Sequence, residues 1–596
     1  MTTEELTPRA PTARIGWQLI KNQRLRYGIN AMLWMSIWVM PVIPALLTRA
    51  FFDRIDPAST NPVGFTVPTL IALMLGYGFA RLGVMVTGMW TDVHFMFRTG
   101  TQLRRNMLAR VFEMPGAQAV ERSAGEAISR FREDVDEVEE SLSWTVDLMG
   151  LTVFSAVAMA VMLSIDTRVT LFVFAPTVGV VYIAAQARKR IRRYREAARI
   201  ATGQITEALG ETFGAVQSIK VAGAEAPMIE HFRGLNDVRR SAMVRDRVLT
   251  AMLESAFWNT VNIGTGLILI VGARNMASGE FTVGDFAVFT YFLTFVSDAV
   301  FVLGLFIARF QQAGISFGRM IALLRGAPPL TLAAGHELYL TGEVFDPAES
   351  LPAVEPLDEL RVEGLSFTYP DSTAGIADVD LVVPGGSFTV VTGKVGSGKT
   401  TLLRAILGLV DAHEGTIRWN GEAVDDPAGF FVPPRSAYTP QVPRLFSMSL
   451  RDNLLMGRPE LEERLDSAIR SAVMGPDLEE MPEGLDTMVG PLGVRLSGGQ
   501  VQRSAAARMF VRDPEVLVFD DLSSALDVET ERILWDRLFA ERAGVTSLVV
   551  SHRRPALQRA DQIVVMEGGR VAATGTLEEL LETSEEFRAL WKGEVG

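Results

Sequence analysis

One glycine-rich stretch of the chain has the residue types and spacing of a phosphate-binding loop. It reads Gly393-Lys394-Val395-Gly396-Ser397-Gly398-Lys399-Thr400, which fits the pattern G-x-x-x-x-G-K-[ST]. An apolar, β-branched run at 388–392 precedes the loop, and helical spacing follows at 402–407. Glycines let backbone N–H groups converge on phosphate oxygens, and a helix N-terminus adds a favourable dipole. The stretch therefore predicts a strand, a nucleotide-binding loop and a helix, in that order.

Two side chains of this loop have predicted chemical roles. Lys399 would neutralise the β- and γ-phosphates, and Thr400 would ligate Mg²⁺. The full set of predicted nucleotide-binding residues in the loop is Gly393, Gly396, Ser397, Gly398, Lys399, Thr400 and Thr401.

Two further motifs follow the loop along the chain. The first is Leu496-Ser497-Gly498-Gly499-Gln500, a small-residue turn that opens a helical run and predicts a second anion site made of backbone N–H groups. The second is the apolar run 516–519, which ends in Asp520 and Asp521. A buried strand that ends in carboxylates is the arrangement that holds Mg²⁺ beside a phosphate loop, so Asp520 is a predicted metal ligand.

The first half of the chain has a different character. Its apolar segments each approach the ~20 residues that cross a bilayer as a helix. They lie at 30–52, 66–90, 143–164, 168–187, 250–272 and 285–308. Few charges interrupt them, which disfavours the alternative of a large buried helical core. Only Asp166-Thr167-Arg168 separates the third segment from the fourth, so these two should form a tight helical hairpin.

Charge placement predicts the orientation of these spans. The connections 91–142 and 188–249 are rich in arginine, whereas the other connections carry few basic residues. Positive residues collect on the cytoplasmic side, so both connections and both termini should be cytoplasmic. Helical spacing within the connections predicts that they extend the membrane helices. Residues about 14–27 resemble a short interfacial helix, with an ordered cytoplasmic tail as the alternative.

Composition sets the domain boundaries and excludes several classes of protein. Prolines and glycines without periodicity at 325–357 predict a linker between a membrane domain at 1–324 and an α/β domain at 358–596. A formal charge of −13 argues against a nucleic-acid partner. The absence of cysteine excludes disulfides, Cys-ligated zinc and a cysteine nucleophile. The polar residues 1–14 do not resemble a signal peptide.

In this order, the three motifs resemble the nucleotide-binding domain of ABC transporters. With the preceding spans, and the phrase GEFTVGD at 279–285, the whole chain resembles an exporter-type (type IV) ABC half-transporter. The resemblance implies an α-helical transmembrane domain of six helices with long cytoplasmic extensions, followed by an α/β P-loop nucleotide-binding domain. It also implies ATP and Mg²⁺ as cofactors and an ATPase activity coupled to transport.

The resemblance assigns further roles to single residues. Tyr369 matches the aromatic residue that stacks on adenine, and Gln441 matches the residue that contacts Mg²⁺ and signals to the membrane domain. Asp527 matches a residue at the dimer interface, and His552 matches the switch histidine near the γ-phosphate. In this family the motif 496–500 covers ATP bound to the partner domain. The chain supplies one copy of each part, so the resemblance implies an obligate dimer of half-transporters.

Asp521 departs from the family pattern, because active members carry glutamate there as the general base. Aspartate is one methylene shorter, and a displacement of ~1 Å can cost about a hundredfold in rate. We therefore expect ATP at this site to bind well and hydrolyse slowly. The combination of Asp521 with an intact motif at 496–500 resembles heterodimeric exporters in which one of the two ATP sites is degenerate. In such a heterodimer this chain would complete the competent site of a second half-transporter.

The expected activity is export of a lipophilic drug, lipid or peptide across the cell (inner or plasma) membrane. Import on the same fold, for instance of a siderophore, remains an alternative, as does an ATP-binding regulatory or channel subunit without coupled pumping. Charged residues inside spans are functional candidates. Arg81 and Asp298 are predicted to face a central cavity, and at least one of them to contact substrate or a partner residue, with an interhelical pair that only stabilises the bundle as the equal alternative.

Overall fold

The computed structural model describes residues 11–56, 64–116, 124–277, 281–338, 355–369, 372–491, 493–522, 526–542 and 544–592. The chain divides into two compact units, Met1–Leu108 with Ala124–Leu338, and Ala109–Ser123 with Tyr339–Gly596. Most of the predicted linker, at 339–354, lies outside the described residues. The exact domain boundaries therefore remain predictions.

The first unit is helical. Its helices are α1 Thr12–Asn22, α2 Arg24–Val39, α3 Val42–Ile55, α4 Val67–Glu113, α5 Ala124–Ser129, α6 Val135–Ile165, α7 Thr167–Gly214, α8 Val216–Val221, α9 Glu225–Ala277 and α10 Val283–Leu323, with a π-helical turn at Arg130–Asp134 and a 3₁₀ turn at Pro329–Ala333. Within the described residues, six helical segments are long and apolar enough to cross a membrane: Arg24–Ile55, Val67–Glu113, Gly125–Ile165, Thr167–Ala187, Glu225–Ala273 and Val283–Leu323. The six predicted spans are thus confirmed.

The long helices of this unit continue well past their apolar parts. Helices α4, α7 and α9 contain 47, 48 and 53 residues. At 1.5 Å per residue they measure about 70–80 Å, more than twice the ~30 Å hydrocarbon core of a bilayer. The predicted extensions of the membrane helices are therefore present.

The N-terminal helices differ from the prediction at two breaks. The expected interfacial helix at 14–27 ends at Asn22, and Gln23 separates it from α2. The first span is two helices, because the chain turns at Met40–Pro41 between α2 and α3. The predicted hairpin between the third and fourth spans is present. There Asp166 caps α7, and its carboxylate accepts hydrogen bonds from the backbone N–H groups of Arg168 and Val169.

The phrase at 279–285 has a structural explanation in its described part. Thr282 and Asp285 form a reciprocal capping box that begins α10. Arg49 of α3 forms an ion pair with Asp285 at 2.7 Å. Gly284 leaves room for this contact, because a Cβ there would lie 2.7 Å from both the carbonyl oxygen of Arg49 and Oδ1 of Asp53. Glycine and the capping residues together fix α10 against α3.

The two charged residues predicted inside spans do not pair with each other in the described part of the chain. Arg81 donates a hydrogen bond to the hydroxyl of Tyr77, one turn earlier on α4, at 3.2 Å. Asp298 lies half-buried on α10. The predicted contact of either residue with substrate or a partner remains a prediction.

The second unit contains two main sheets. Its strands are β1 Glu359–Thr368, β2 Gly375–Pro384, β3 Phe388–Gly393, β4 Glu414–Trp419, β5 Glu422–Ala423, β6 Ser436–Thr439, β7 Met448–Ser449, β8 Met488–Val489, β9 Val516–Asp520, β10 Thr546–Val550, β11 Gln562–Glu567 and β12 Arg570–Gly575. Its helices are α11 Lys399–Ile406, α12 Pro427–Phe430, α13 Leu450–Leu455, α14 Leu465–Ser471, α15 Gly475–Glu480, α16 Gly498–Phe510, α17 Val528–Glu541, α18 Arg554–Arg559, α19 Leu577–Thr583 and α20 Glu585–Lys592.

The larger sheet has the order β12-β11-β3-β10-β9-β6, and the five strands from β11 to β6 are parallel. Every residue of β3, β9 and β10 is buried, which explains their continuous apolar or β-branched sequences. The smaller sheet has the order β2-β1-β4-β5 and is antiparallel. The predicted α/β fold of this half is confirmed.

Candidate nucleotide-binding site

The parallel sheet gathers the predicted site residues at one edge. The carboxyl ends of parallel strands lie at the same edge, which is where ligands bind in such folds. Strand β3 leads into the phosphate loop, β9 ends at Asp520, β10 leads to His552, and β6 leads to Gln441. Four segments that are distant in sequence are therefore neighbours here.

The phosphate loop has backbone angles that require glycine. Gly393, Gly396 and Gly398 have φ values of +143°, +82° and +101°. A Cβ at Gly393 would lie 2.2 Å from the carbonyl oxygen of Met566 on β11, so no other residue fits there. The Lys399 ammonium donates to the carbonyl oxygens of Gly393 and Lys394, both at 2.8 Å. Burial lowers the pKa of this ammonium, and Asp521 and Asp520 oppose that effect.

Asp520 is joined to the loop by a direct hydrogen bond. The Thr400 hydroxyl donates to Oδ1 of Asp520 at 2.9 Å. The Tyr438 hydroxyl donates to Oδ2 at 3.3 Å. Asp520 is 1% exposed, and burial raises the pKa of its carboxyl while both hydrogen bonds lower it. The two predicted metal ligands, Thr400 and Asp520, thus lie side by side.

Asp521 lies beside Gln441. The Gln441 amide donates to Oδ2 of Asp521 at 3.4 Å. Burial raises the pKa of Asp521, and the charges of His552, Arg553 and Lys399 lower it, which places these groups around one carboxylate. The φ of Asp521 is +53°, in the left-handed region that aspartate enters more readily than most residues.

His552 lies exposed just after β10, whereas the residues on either side of it make structural contacts. The Ser551 hydroxyl accepts a hydrogen bond from the backbone N–H of Arg553 at 3.1 Å. The Arg553 guanidinium donates to the carbonyl oxygen of Leu526 at 2.9 Å and to the buried carboxylate of Glu531 at 3.0 Å. Arg553 therefore fixes the loop that presents His552.

Tyr369, predicted to stack on adenine, is half-buried at the end of β1. Its ring meets Phe367 edge to face at 4.9 Å between centroids. The hydroxyls of Tyr369 and Tyr438 raise the pKa of Arg404 on α11, against the effect of its burial. The next two residues, Pro370 and Asp371, lie outside the described part of the chain.

The turn 496–500 is the N-terminus of α16. Ser497 and Gln500 form a capping box, with the backbone N–H of Ser497 donating to Gln500 Oε1 at 2.8 Å. Ser497 and Gly498 are exposed, and Leu496 packs against the core. Because the capping box leaves Gly498 and Gly499 at the open helix end, their N–H groups suit an external anion.

Asp527 is the N-cap of α17. Its carboxylate accepts hydrogen bonds from the Thr530 backbone N–H at 2.9 Å and the Thr530 hydroxyl at 2.6 Å. These bonds lower the pKa of Asp527. Ser524 and Ala525 of the same motif lie outside the described residues.

Two residues near the site, Tyr438 and Arg404, belong to no motif that the sequence analysis identified. Tyr438 precedes Gln441 by three residues in a short strand, and Arg404 follows Lys399 by five residues on α11. Helical position alone could have indicated that Arg404 lies near the loop. Nothing in the linear sequence places Tyr438 against Asp520.

The donor set of this edge fits a magnesium nucleotide. Mg²⁺ prefers oxygen ligands, and the Thr400 hydroxyl, the Asp520 carboxylate and the Gln441 side-chain amide supply them. Lys399 supplies the positive charge that polyphosphates require. The loop glycines leave their backbone N–H groups accessible to a phosphate chain.

Comparison with known proteins agrees with this arrangement. Residues 31–300 match the family model described as the ABC transporter transmembrane region, and residues 376–524 match the family model described as ABC transporter. A solved bacterial Atm1-family ABC exporter with ATP bound aligns over 96% of this chain and 98% of its own, with a TM-score of 0.76 and 20% identity. That likeness identifies the fold.

Curated relatives match over nearly the whole chain. A probable multidrug resistance ABC transporter ATP-binding/permease protein, YheI of Bacillus subtilis, is 28% identical over 96% of both chains. An ATP-dependent lipid A-core flippase of Burkholderia thailandensis is 27% identical over 87% of this chain and 88% of its own. The cyclolysin secretion/processing ATP-binding protein CyaB of Bordetella pertussis is 30% identical over 93% of this chain and 76% of its own. The chain therefore belongs to the ABC transporter family, with an exporter-type fold and an ATPase unit coupled to transport.

Proposed function

We propose that the chain is one half of a heterodimeric ATP-driven exporter and that its own ATP site hydrolyses slowly. The relatives named above are described as a multidrug resistance transporter, a lipid flippase and a toxin secretion protein. The drugs, the lipid and the secreted cyclolysin in these names support a drug, lipid or peptide as the substrate. The chain would span the cell membrane with both termini in the cytoplasm, as the arginine-rich connections favour.

The ATP site of this chain would use the residues gathered at the sheet edge. Tyr369 would stack on the adenine, and Lys399 with the loop glycines would bind the phosphates. Thr400, Asp520 and Gln441 would hold Mg²⁺, which neutralises the phosphate oxygens when bound. His552 is exposed near Asp521 and would meet the γ-phosphate end of the nucleotide.

Asp521 is the observation that carries the proposal of a slow site. Its carboxylate accepts a hydrogen bond from the Gln441 amide at 3.4 Å, which supports a role for Asp521 as the general base. It is nevertheless one methylene shorter than glutamate. A general base must lie within ~2.6–3.2 Å of the proton that it takes, or act through a further water molecule. A shortfall of this size lowers the rate of hydrolysis while leaving nucleotide binding intact.

The intact turn at Leu496–Gln500 supports the second half of the proposal. Its exposed helix N-terminus suits the phosphates of a nucleotide held by another chain. This chain would then complete a competent site on a partner that carries glutamate at the position of Asp521.

The test is the ATPase activity of the purified chain alone in lipid, measured for wild type, Asp521→Glu and Asp521→Asn. We expect negligible wild-type turnover and a rise with Asp521→Glu. Asparagine is the matched control, because it keeps the size of aspartate and its tolerance of a positive φ. Robust wild-type turnover that Asp521→Asn abolishes would contradict the proposal, since aspartate would then be a working base in a homodimer.

A further inference from the structure

The carboxylate of Asp520 is hydrogen-bonded on both oxygens. Thr400 donates to Oδ1 at 2.9 Å, and Tyr438 donates to Oδ2 at 3.3 Å. Thr400 belongs to the phosphate loop motif, whereas Tyr438 belongs to no motif that the sequence indicates. The two donors approach opposite oxygens, so together they fix the plane of the carboxylate.

Strand order explains how Tyr438 reaches Asp520. Strand β6 pairs in parallel with β9, and Tyr438 lies opposite Val518, two residues before Asp520. The ring of Tyr438 packs against the apolar cluster beneath the phosphate-loop helix, which holds the hydroxyl in place.

Groups that hydrogen-bond to a metal ligand control its orientation and charge. Their loss commonly costs 10–100-fold in metal affinity. Asp520 is buried, and its carboxylate is less well oriented when it loses one of its two donors. Poorer orientation of the ligand weakens a magnesium site.

We propose that Tyr438 is a positioning residue for the magnesium site. This inference rests on the proposed assignment of Asp520 to Mg²⁺. Tyr438 does not touch the reacting atoms. It holds the Asp520 carboxylate in place through the hydrogen bond to Oδ2.

The test measures metal binding directly in the purified chain in lipid. Mn²⁺ replaces Mg²⁺, free Mn²⁺ is measured by electron paramagnetic resonance in the presence of ATP, and ATP binding is also measured with the metal chelated. For Tyr438→Phe we expect Mn²⁺ affinity to fall about tenfold, at the low end for such partners because 3.3 Å is long. Metal-free ATP affinity should stay within about twofold of wild type.

Two further variants make the result specific. Asp520→Asn is the reference for a lost ligand and should reduce Mn²⁺ affinity further. Ser436→Ala removes a buried hydroxyl on the same strand, which donates to the carbonyl oxygen of Phe431, and should leave Mn²⁺ affinity unchanged.

Two outcomes would overturn the inference. Unchanged Mn²⁺ affinity in Tyr438→Phe, with loss in Asp520→Asn, would mean that Tyr438 does not position the ligand. If Tyr438→Phe lost ATP affinity equally with and without metal, and also had a lower melting temperature, Tyr438 would only stabilise the fold. A wild-type chain with no metal-dependent binding, or an Asp520→Asn variant that retains it, would instead contradict the proposed ATP and Mg²⁺ site itself.

Discussion

At the scale of single residues, the two adjacent acids at the end of β9 have different surroundings. Asp520 is buried and held by Thr400 and Tyr438, whereas Asp521 faces Gln441 and the positive groups around it. The backbone reverses between them, since Asp521 has a positive φ. One acid thus suits a metal and the other suits a water molecule. Asp527, seven residues after Asp520, acts differently again, as a helix cap.

The cap at Asp527 predicts a pH-dependent contribution to stability. Hydrogen bonds from Thr530 hold the pKa of Asp527 below its ordinary value of 3.8. A depressed pKa means that the stabilisation is complete above the ordinary value and is lost as pH falls through the lower, folded-state pKa. Asp527→Ala should therefore lower the melting temperature near pH 7, and its difference from wild type should shrink at strongly acidic pH.

Asp527→Asn separates capping from charge in this experiment. Asparagine caps helices about as well as aspartate. Its melting temperature near neutral pH should match wild type, and thermal unfolding followed across pH measures all three proteins. A wild-type minus Ala difference that does not change with pH would show that the ionised carboxylate is not the stabilising species.

At the scale of elements, short local signals begin the helices on which function depends. Capping boxes begin α10 and α16, and a single aspartate caps α7. The C-terminal helix α20 reaches the phosphate loop through Glu586, which lies 3.1 Å from the Lys394 ammonium. The same helix carries Trp591, whose ring lies under the guanidinium of Arg554 on α18 at 5.1 Å. Helix ends and loops in the second unit are therefore tied together by side chains.

Gly284 gives a prediction for the start of α10. A Cβ at this position would lie 2.7 Å from the Arg49 carbonyl oxygen, which is backbone and must shift. Gly284→Ala should therefore separate α10 from α3, strain the Arg49–Asp285 ion pair and destabilise the first unit by about 1–3 kcal/mol. Thermal unfolding in detergent measures the effect.

Gly304 is the matched control, because it lies on the same helix and a Cβ there meets nothing within 4 Å. Gly304→Ala should keep the melting temperature or raise it slightly, because alanine favours a helix interior more than glycine does. Equal stability of the two alanine variants would mean that α10 does not pack closely against α3 at Gly284.

At the scale of the whole molecule, the chain carries one phosphate loop and one turn of the kind at Leu496–Gln500. This turn is exposed on the second unit, and Ser497 and Gln500 form its capping box. In the proposed heterodimer, the turn of this chain serves the partner's ATP. The two ATP sites would then respond differently to changes in this chain.

Ser497→Arg tests this asymmetry. The large charged side chain should exclude a partner's nucleotide from the exposed turn, so ATPase activity of the heterodimer should fall at least tenfold, in line with the loss of a phosphate-binding contact. Photolabelling with an azido-ATP should still mark this chain through its own phosphate loop.

Asp521→Asn in the same heterodimer is the comparison. It alters the proposed slow site and should reduce total ATPase activity by less than twofold, because nearly all turnover occurs at the other site. A larger loss with Asp521→Asn than with Ser497→Arg would invert the proposed division of labour.

Much of this protein was determined by local sequence. Apolar runs near the length of a bilayer predicted six spans, because solvation by lipid depends on the composition of each segment by itself. The phosphate loop at Gly393–Thr400 was recognisable because glycines with positive φ and a lysine at fixed spacing have few other uses. The buried strands that end in Asp520 and lead to His552 were predictable from their apolar and β-branched runs.

The tertiary structure alone decided the rest. The break at Gln23 carries no proline or glycine signal, whereas Pro41 marks the break after Met40 locally. The contact of Tyr438 with Asp520 depends on the order of strands in the sheet. Strand order is set by the burial of both sheet faces across the whole unit, so residues 82 positions apart, as Tyr438 and Asp520 are, become neighbours without any signal in the sequence between them.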